Sequence, residues 1–490
     1  MPPDSESGPP PADPETGSGP GSPVPGPPAP ARRSWPRRLL NRFEVDRAVF
    51  YAVLVRGWQL AAGPVSLLLI AAFFTPELQG WYYTFSSLLA LQAFVELGFQ
   101  LVLINLASHE WSQLSLDDAG SVEGEPAALS RLASLMRLSV RWYAGAATVF
   151  AAVILPAGMA FFLYQPGAEQ LSWKGPWTIL ALLTSLNLAV QPLVALLDGC
   201  NQMATVNRYR LLQAVASNVA VWTCIPLGGG LWTAVAVAAA RLSGDLLLTC
   251  VRYRRFFLKL WQTELTHAIS WWGEVWPLQW RLAVQGALGF LMHWLFSPVL
   301  FHYHGAASAG QMGMSLTVVL TLQLASLAWV ETRSPRFGML VARRDFRELD
   351  RVFLRVSGLS LVVYVAGAAI LLAVVLLMNF STVPVLQQLS RRLLPPLPLA
   401  IFLCGALFDQ LVRYQKFYLR AFQRDPQTAV NVAVQLLTGL LIWQLGSRYG
   451  ALGAVSAWCA VQACWFAPTG TWIWYRCRRE WRLERESPTA

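Results

Sequence analysis

Charged and amide side chains recur at helical spacing inside otherwise apolar stretches of this sequence. Gln92, Glu96 and Gln100 stand at i, i+4 and i+8, so a helix there carries one polar stripe. Arg281, Gln285 and His293 form a second such set, with Gln311, Ser315 and Gln323 on the next apolar stretch. Arg56 and Gln59 mark the first stretch. The chemistry open to these residues is recognition rather than bond-making. A guanidinium binds phosphate oxygens bidentately, amides match hydroxyl groups, and an apolar surround lets a carboxylate exchange a proton or cation. Each set also has a structural reading. Glu96 with its neighbouring glutamines reads equally as interhelical glue, and Arg56 and Arg281 read as snorkelling side chains near an interface.

Bond-making chemistry lacks its usual residues. There is no GxxxxGK[ST] phosphate loop, no HExxH, no nucleophile elbow and no clustered carboxylate pair. The seven cysteines form no CxxC pair, and His302 and His304 read as an exposed loop pair. The expectation is therefore a non-enzyme with no cofactor and no metal site.

Composition supplies the solvent for these residues. Of 490 residues, 55% are hydrophobic and only 13% are charged, against about 25% charged in soluble chains. Mean hydropathy is +0.43. The 22 Trp and 13 Tyr suit membrane interfaces. The net charge of +11 comes almost wholly from Arg, in short runs between apolar stretches. That is a topology signal, not the concentrated basic face of a nucleic-acid binder.

Twelve apolar segments follow one another at about 50–74, 81–107, 138–164, 176–197, 209–228, 231–251, 275–300, 308–331, 352–378, 394–412, 427–446 and 450–475. Each is near the ~20 residues needed to span hydrocarbon. With the N-terminus inside and the segments alternating, 29 Lys and Arg fall inside, 4 outside and 5 within segments. One missed helix would swap the sides of every later loop and destroy that bias. The expected fold is thus an all-α polytopic membrane protein with about twelve transmembrane helices. Both termini are expected in the cytoplasm and the location is the inner (plasma) membrane.

Residues 1–47 read as a disordered Pro/Gly-rich and then basic tail without the pattern of a cleaved leader, and 476–490 as a basic cytoplasmic tail. Between them the chain divides into 48–260 and 261–475. Arg56 and Gln59 are matched by Arg281 and Gln285, and Gly80-Trp81-Tyr82 by Gly310-Gln311-Met312. Six segments per half predicts two six-helix bundles related by a pseudo-two-fold axis along the membrane normal. At a rise of about 1.5 Å per residue, antiparallel first and second segments would set Gln100 level with Arg56 and Glu96 level with Gln59. Arg241/Asp245 and Asp409/Arg413 read as local i, i+4 pairs, and Asp198 and Glu331 as solvated helix ends.

The run Pro76-Glu77-Leu78-Gln79-Gly80-Trp81-Tyr82-Tyr83-Thr84-Phe85-Ser86-Ser87-Leu88, leading into the helix through Glu96 and Gly98, resembles the start of polysaccharide and O-antigen flippases. These belong to the multidrug/oligosaccharidyl-lipid/polysaccharide exporter superfamily. The match lies mainly in 75–110; the Pro-rich tail is outside the pattern. The resemblance implies two bundles around a V-shaped cavity and a lipid-linked oligosaccharide carried on polyprenyl pyrophosphate. Arg56 and Arg281 would then bind phosphates, and Gln59, Gln92, Gln100 and Gln285 sugar hydroxyls, with Glu96 and Gln323 on the cavity wall. Expected partners are membrane lipid, that glycan substrate, and H+ or Na+ as a coupling ion, with no nucleic acid. The alternatives are a cation-coupled multidrug antiporter of the same superfamily with Glu96 as coupling group, a membrane-embedded glycan polymerase or ligase, and a scaffold. The short external loops weigh against the polymerase, and the buried polar stripes against the scaffold.

Overall fold

The computed structural model describes residues 47–96, 98–117, 120–276, 279–280, 293–422 and 426–486. The tail before residue 47, and Arg281 and Gln285, lie outside the described residues. Apart from one two-stranded hairpin, β1 (Leu114–Leu116) with β2 (Val122–Gly124), the regular structure of the described residues is helical.

The helices follow the apolar segments. They are α1 (Arg47–Phe73), α2 (Pro76–Leu89), the short α3 (Gln92–Glu96), α4 (Phe99–Trp111), α5 (Pro126–Leu163), α6 (Lys174–Gly199), α7 (Met203–Cys224) and α8 (Trp232–Leu246). After α9 (Arg254–Gln262) come α10 (Phe296–Ala342), α11 (Phe346–Phe380), α12 (Pro384–Ser390), α13 (Pro396–Arg420), α14 (Thr428–Val461) and α15 (Ala467–Glu486). Among the described residues, eight stretches are long and apolar enough to cross a membrane, nine with the bent pair Pro76–Glu96 and Phe99–Trp111. The difference from twelve has three sources. The stretch Thr428–Trp481 contains two segments, divided at Gly450 where φ is 63°. The helix α7 is made more polar by Arg208, Arg210 and Gln213. Most of the seventh segment lies outside the described residues. The chain is an all-α polytopic membrane protein.

Local sequence sets the start of α2. Thr75 caps it by accepting from the Leu78 amide at 3.1 Å, Pro76 opens its first turn, and Glu77 meets the positive end of its dipole. The second segment is not one continuous helix. It bends by 48° between its two parts, with Gly98 in the left-handed region at φ 65°. The three-residue stripe Gln92, Glu96 and Gln100 is therefore broken, a correction to the straight-helix reading.

Among residues 47–262, α1 packs on α7, α7 on α8, α5 on α6, and α6 on both α4 and α8. Among residues 296–486, α10 packs on α11, α13 and α14, and α13 on α11, α14 and α15. The first helix thus rests on the fifth segment rather than the second. This removes the expected pairing of Gln100 with Arg56 and of Glu96 with Gln59.

Among the described residues the most extensive contact between helices joins α2 to α10. A Cβ on Gly80 would lie 1.8 Å from the Ala306 carbonyl oxygen, and one on Gly310 would lie 2.8 Å from the Gly80 nitrogen. Small residues let backbones approach where lipid offers no hydrophobic drive for association. Buried Gln79 completes the seal by donating to the carbonyls of Gly310 (2.8 Å) and Arg392 (3.1 Å). The buried Arg392 guanidinium donates to the Phe74 carbonyl at the end of α1. Trp81 adds an aromatic lock, stacked on Phe162 at 4.9 Å and edge-on to Phe301 at 5.2 Å.

At the opposite, loop-bearing end, α9 and the residues after it dock on the start of α5. Arg131 bridges Glu110 (2.8 Å) and Glu274 (2.7 Å), and Arg137 donates to the carbonyls of Trp261 and Thr263 at 2.6 Å each. The Ser270 amide and Arg131 hold the Glu274 carboxyl below the usual carboxylate range.

Because a Cβ at residue 80 collides with backbone, Gly80→Leu is expected to hold the seal open. In a cysteine-free background, a cysteine at Thr317 below the seal would then react several-fold faster with a membrane-impermeant maleimide added from the seal side. Unchanged labelling would show that the glycine contact does not close this end.

Candidate functional site

Two cavities share Gln59, Ser217, Asn218 and Val237. The first, of about 500 Å³, is polar. Gln59, Gln92 and Gln100 reach it from α1, α3 and α4; Asn187 and Gln191 come from α6, Gln213 from α7, and Arg241 and Asp245 from α8. Its groups are organised by hydrogen bonds. The Gln191 amide donates to Gln100 Oε1 at 3.0 Å. Asp245 accepts from Asn187 Nδ2 at 2.9 Å and from Gln213 Nε2 at 2.7 Å. No ion pair between Arg241 and Asp245 occurs among the described residues, so the expected local pair gives way to contacts between helices. Gln213 can reach across because Gly244 has no side chain: a Cβ there would lie 2.3 Å from Gln213 Cγ.

The second cavity, of about 520 Å³, is mainly apolar and lies along the seam between α1 and α10. Leu60, Gly63, Pro64 and Leu67 line it from α1; Thr317, Val318 and Leu322 line it from α10. Gly63 opens it, since a Cβ at that position would meet nothing within 4 Å. A third cavity, of about 350 Å³, lies among α10, α13 and α14 and includes Glu331, Asp409, Arg413, Lys416 and Arg420.

The structure thus brings Gln59, Gln92 and Gln100 together and places the other described candidates, Glu96, Arg56 and Gln323, elsewhere. Glu96 does not line the polar cavity, and the Tyr143 hydroxyl of α5 donates to it at 3.4 Å. Arg56 pairs with Glu331 across the α1–α10 seam. Gln323 is buried and donates to the Ala406 carbonyl (3.0 Å) and Asp409 Oδ2 (3.2 Å). It holds a packed interface and lines none of the three cavities.

Three further expectations change. Asp198 is buried rather than solvated and is held by Arg210 at 2.6 Å. Glu331 is paired rather than free in solvent. His302 and His304 lie within α10 and bond to Gln165 (3.1 Å) and the Gly446 carbonyl (2.9 Å). The Asp409–Arg413 pair is present as read, at 2.7 Å. Among the described residues no group of His, Cys, Asp and Glu could hold a metal ion.

Sequence reasoning missed Asn187 with Gln191, Gln213 with Ser217, and the continuation of the Asp409/Arg413 face to Lys416 and Arg420. The signal was present: these are polar residues at spacings of three or four within apolar or basic-ended helices.

By sequence, no family model and no curated relative matches the chain. By structure, an inward-facing multidrug resistance MATE family transporter of the MOP superfamily aligns with TM-score 0.64 at 12% identity, over 90% of this chain and 96% of that one. The lipid II flippase MurJ, in an inward closed conformation, aligns with TM-score 0.59 at 13% identity, over 88% of this chain and 87% of the other. An outward-facing MATE family transporter gives 0.54 at 12% identity, over 90% and 96%. The protein has the fold of these transporters.

The buried pair Asp409–Arg413 gives a stability test of this framework. Removing Arg413 alone strands a buried carboxylate, which costs about 3–5 kcal/mol in buried pairs. Arg413→Leu is expected to lower the melting temperature of the purified protein clearly, and Asp409→Leu/Arg413→Leu to recover most of the loss. A double variant no more stable than the single one would show that the pair is not the determinant.

Proposed function

We propose that this protein is an alternating-access transporter that moves a lipid-linked oligosaccharide across the inner (plasma) membrane. The basic, loop-bearing end and both termini face the cytoplasm, and the substrate passes from the inner to the outer leaflet. The observation that carries this reading is the pair of joined cavities. A polar chamber lined by amides suits hydroxyl-rich sugars, and the apolar chamber along the α1–α10 seam suits the attached chain. A small polar solute needs only the first, so the combination favours an amphiphile. The sealed Gly80–Gly310 end and the higher similarity to an inward-facing relative than to an outward-facing one support a state open to the cytoplasm. Residues 48–260 and 261–475 then act as two bodies that rock about the α2–α10 contact. Gln59, Gln92 and Gln100 contact sugar hydroxyls, Arg56 engages the anionic linkage, and H+ or Na+ supplies the driving force.

A second reading, a cation-coupled multidrug antiporter, has one observation in its favour. Asp245, set in the polar cavity among amides, could hold a coupling cation.

The deciding experiment uses the full chain in proteoliposomes with a fluorescent lipid-diphosphate oligosaccharide, followed by quenching of the outer leaflet. Wild type is expected to move the lipid. Gly63→Trp, which fills open space in the apolar chamber, is expected to insert and melt normally yet lose this activity. Transport of a lipophilic cationic dye without movement of the lipid would put the antiporter first.

A further inference from the structure

The end of α10 and the start of α11 carry arginines that neither the cavities nor the transport reading uses. The two helices meet in a tight turn through Arg343, Arg344 and Asp345. Arg344 closes it in the left-handed region at φ 59°, its amide donating to the Val341 carbonyl (3.1 Å) and that of Asp345 to the Leu340 carbonyl (3.0 Å). Glycine fits such a position without strain, whereas a Cβ there is unfavourable. Arg343, Arg344 and Arg347 are exposed and make no ion pair or side-chain hydrogen bond among the described residues. The nearby carboxylates are already engaged. Glu348 accepts from Arg336 at 3.4 Å and from Arg351 at 2.8 Å, and Asp345 caps α11 by accepting from the Glu348 amide at 3.1 Å. The turn also stands on a rigid base. Buried Phe346 stacks on Phe422 at 6.2 Å, which meets Trp481 of α15 at 5.3 Å. Asp350 accepts from Tyr418 at 2.9 Å and pairs with Arg478. From Gly310 at the seal to Ala342, α10 runs about 48 Å at 1.5 Å per residue. The hydrocarbon takes about 30 Å of that length and one headgroup layer about 5–8 Å, so the turn stands roughly 10 Å out in water.

We propose that the turn carrying Arg343, Arg344 and Arg347 is a docking surface for another protein, one that presents a concave patch of Asp and Glu. The inference is independent of the lipid-transport reading. A guanidinium meets a carboxylate through two parallel hydrogen bonds, and groups held on a rigid tip lose less freedom on pairing. Topology alone does not account for the turn. Loop arginines direct insertion wherever they fall near a helix end, so a glycine at 344 between charged neighbours would serve that purpose with no strain. A strained arginine fits a position kept for its charge. The tip projects and lines none of the three cavities, so it offers no pocket to a small anion. Nucleic-acid affinity grows with the number of phosphates neutralised, and three guanidinium groups at one point cannot follow a strand.

The test measures binding of a fluorescent deca-glutamate peptide to the full chain in phosphatidylcholine nanodiscs. Wild type is expected to bind it, and Arg343→Gln/Arg344→Gln/Arg347→Gln to bind about ten-fold more weakly, as loss of three facing charges allows. Arg343→Lys/Arg344→Lys/Arg347→Lys should recover most of that affinity. The charge-matched control Arg252→Gln/Arg254→Gln/Lys259→Gln, at and just before α9, should bind as wild type does. Arg344→Gly is expected to weaken binding yet melt at or above the wild-type temperature. A bimane on Arg344→Cys in a cysteine-free background should escape quenching by spin-labelled lipid headgroups. Movement of the lipid-diphosphate oligosaccharide in proteoliposomes should be the same in wild type and the Gln variants, so failure of either reading leaves the other standing. No binding by wild type, or an equal loss in the control variant, overturns the docking surface. A lower melting temperature for Arg344→Gly makes that arginine a structural residue and overturns the argument from strain. Decauridylate binding more tightly than the peptide through the same arginines overturns a protein partner in favour of nucleic acid. Quenching of the bimane places the tip in the headgroups and overturns it in favour of lipid.

Discussion

Two backbones in contact at Gly80 and Gly310, with no Cβ between them, set the geometry of the rest. Lipid tails are as apolar as leucine, so helices in a bilayer gain little by hiding apolar side chains from them. What holds α2 to α10 is close packing and hydrogen bonding: the Gln79 amide on two carbonyls, the Arg392 guanidinium on another, and the Trp81 aromatic lock. The apolar cavity lies beside this contact, lined by Tyr82 and Tyr83 of α2 and by Thr317, Val318 and Leu322 of α10, and a bulkier residue at 80 or 310 would collide with the facing backbone.

Polar groups within these helices fall into two kinds. Some are satisfied inside the packing: Asp198 by Arg210, Asp409 by Arg413 and Gln323, and the Ser360 hydroxyl by the Ser326 carbonyl. Such groups can be placed in an apolar surround because a partner compensates each one. Others, such as Gln59 and Gln92, line the polar cavity, as does Gln100, which accepts from Gln191 there. A helix that needed only to be anchored would gain from leucine at these positions. Their polarity is the reason to regard the chamber as more than a packing defect.

Much of this architecture was legible in the sequence, because its two strongest signals are physical requirements of the bilayer. Segment length follows hydrocarbon thickness, and the Arg bias between inner and outer loops follows insertion. The glycine–aromatic step at Gly80 and its match at Gly310 were also visible, although their mutual contact was not. Sequence reading failed where a helix departs from ideality. The spacing of Gln92, Glu96 and Gln100 assumes a straight helix, and the left-handed Gly98 with the 48° bend puts Gln100 on a separate helix from Gln92 and Glu96. It failed again where a partner comes from a distant segment. Arg241 is four residues from Asp245, yet Asn187 and Gln213 take the carboxylate. Glu331 is 275 positions from Arg56, a pairing that no local spacing encodes.

On the proposed reading, the arrangement of the chambers also limits the work of transport. Withdrawing an isoprenoid chain from lipid into water would cost about 0.8 kcal/mol for each CH2 group. A carrier that swallowed the whole amphiphile would need an apolar interior the length of that chain. The seam between α1 and α10 offers another course: the chain stays in or beside the hydrocarbon while only the headgroup enters the polar chamber. The unfavourable step is then desolvation of sugars and phosphates, for which the amides and guanidinium groups provide replacement partners. The apolar cavity of about 520 Å³ suits the few carbons next to the headgroup, and the rest can remain in the bilayer throughout.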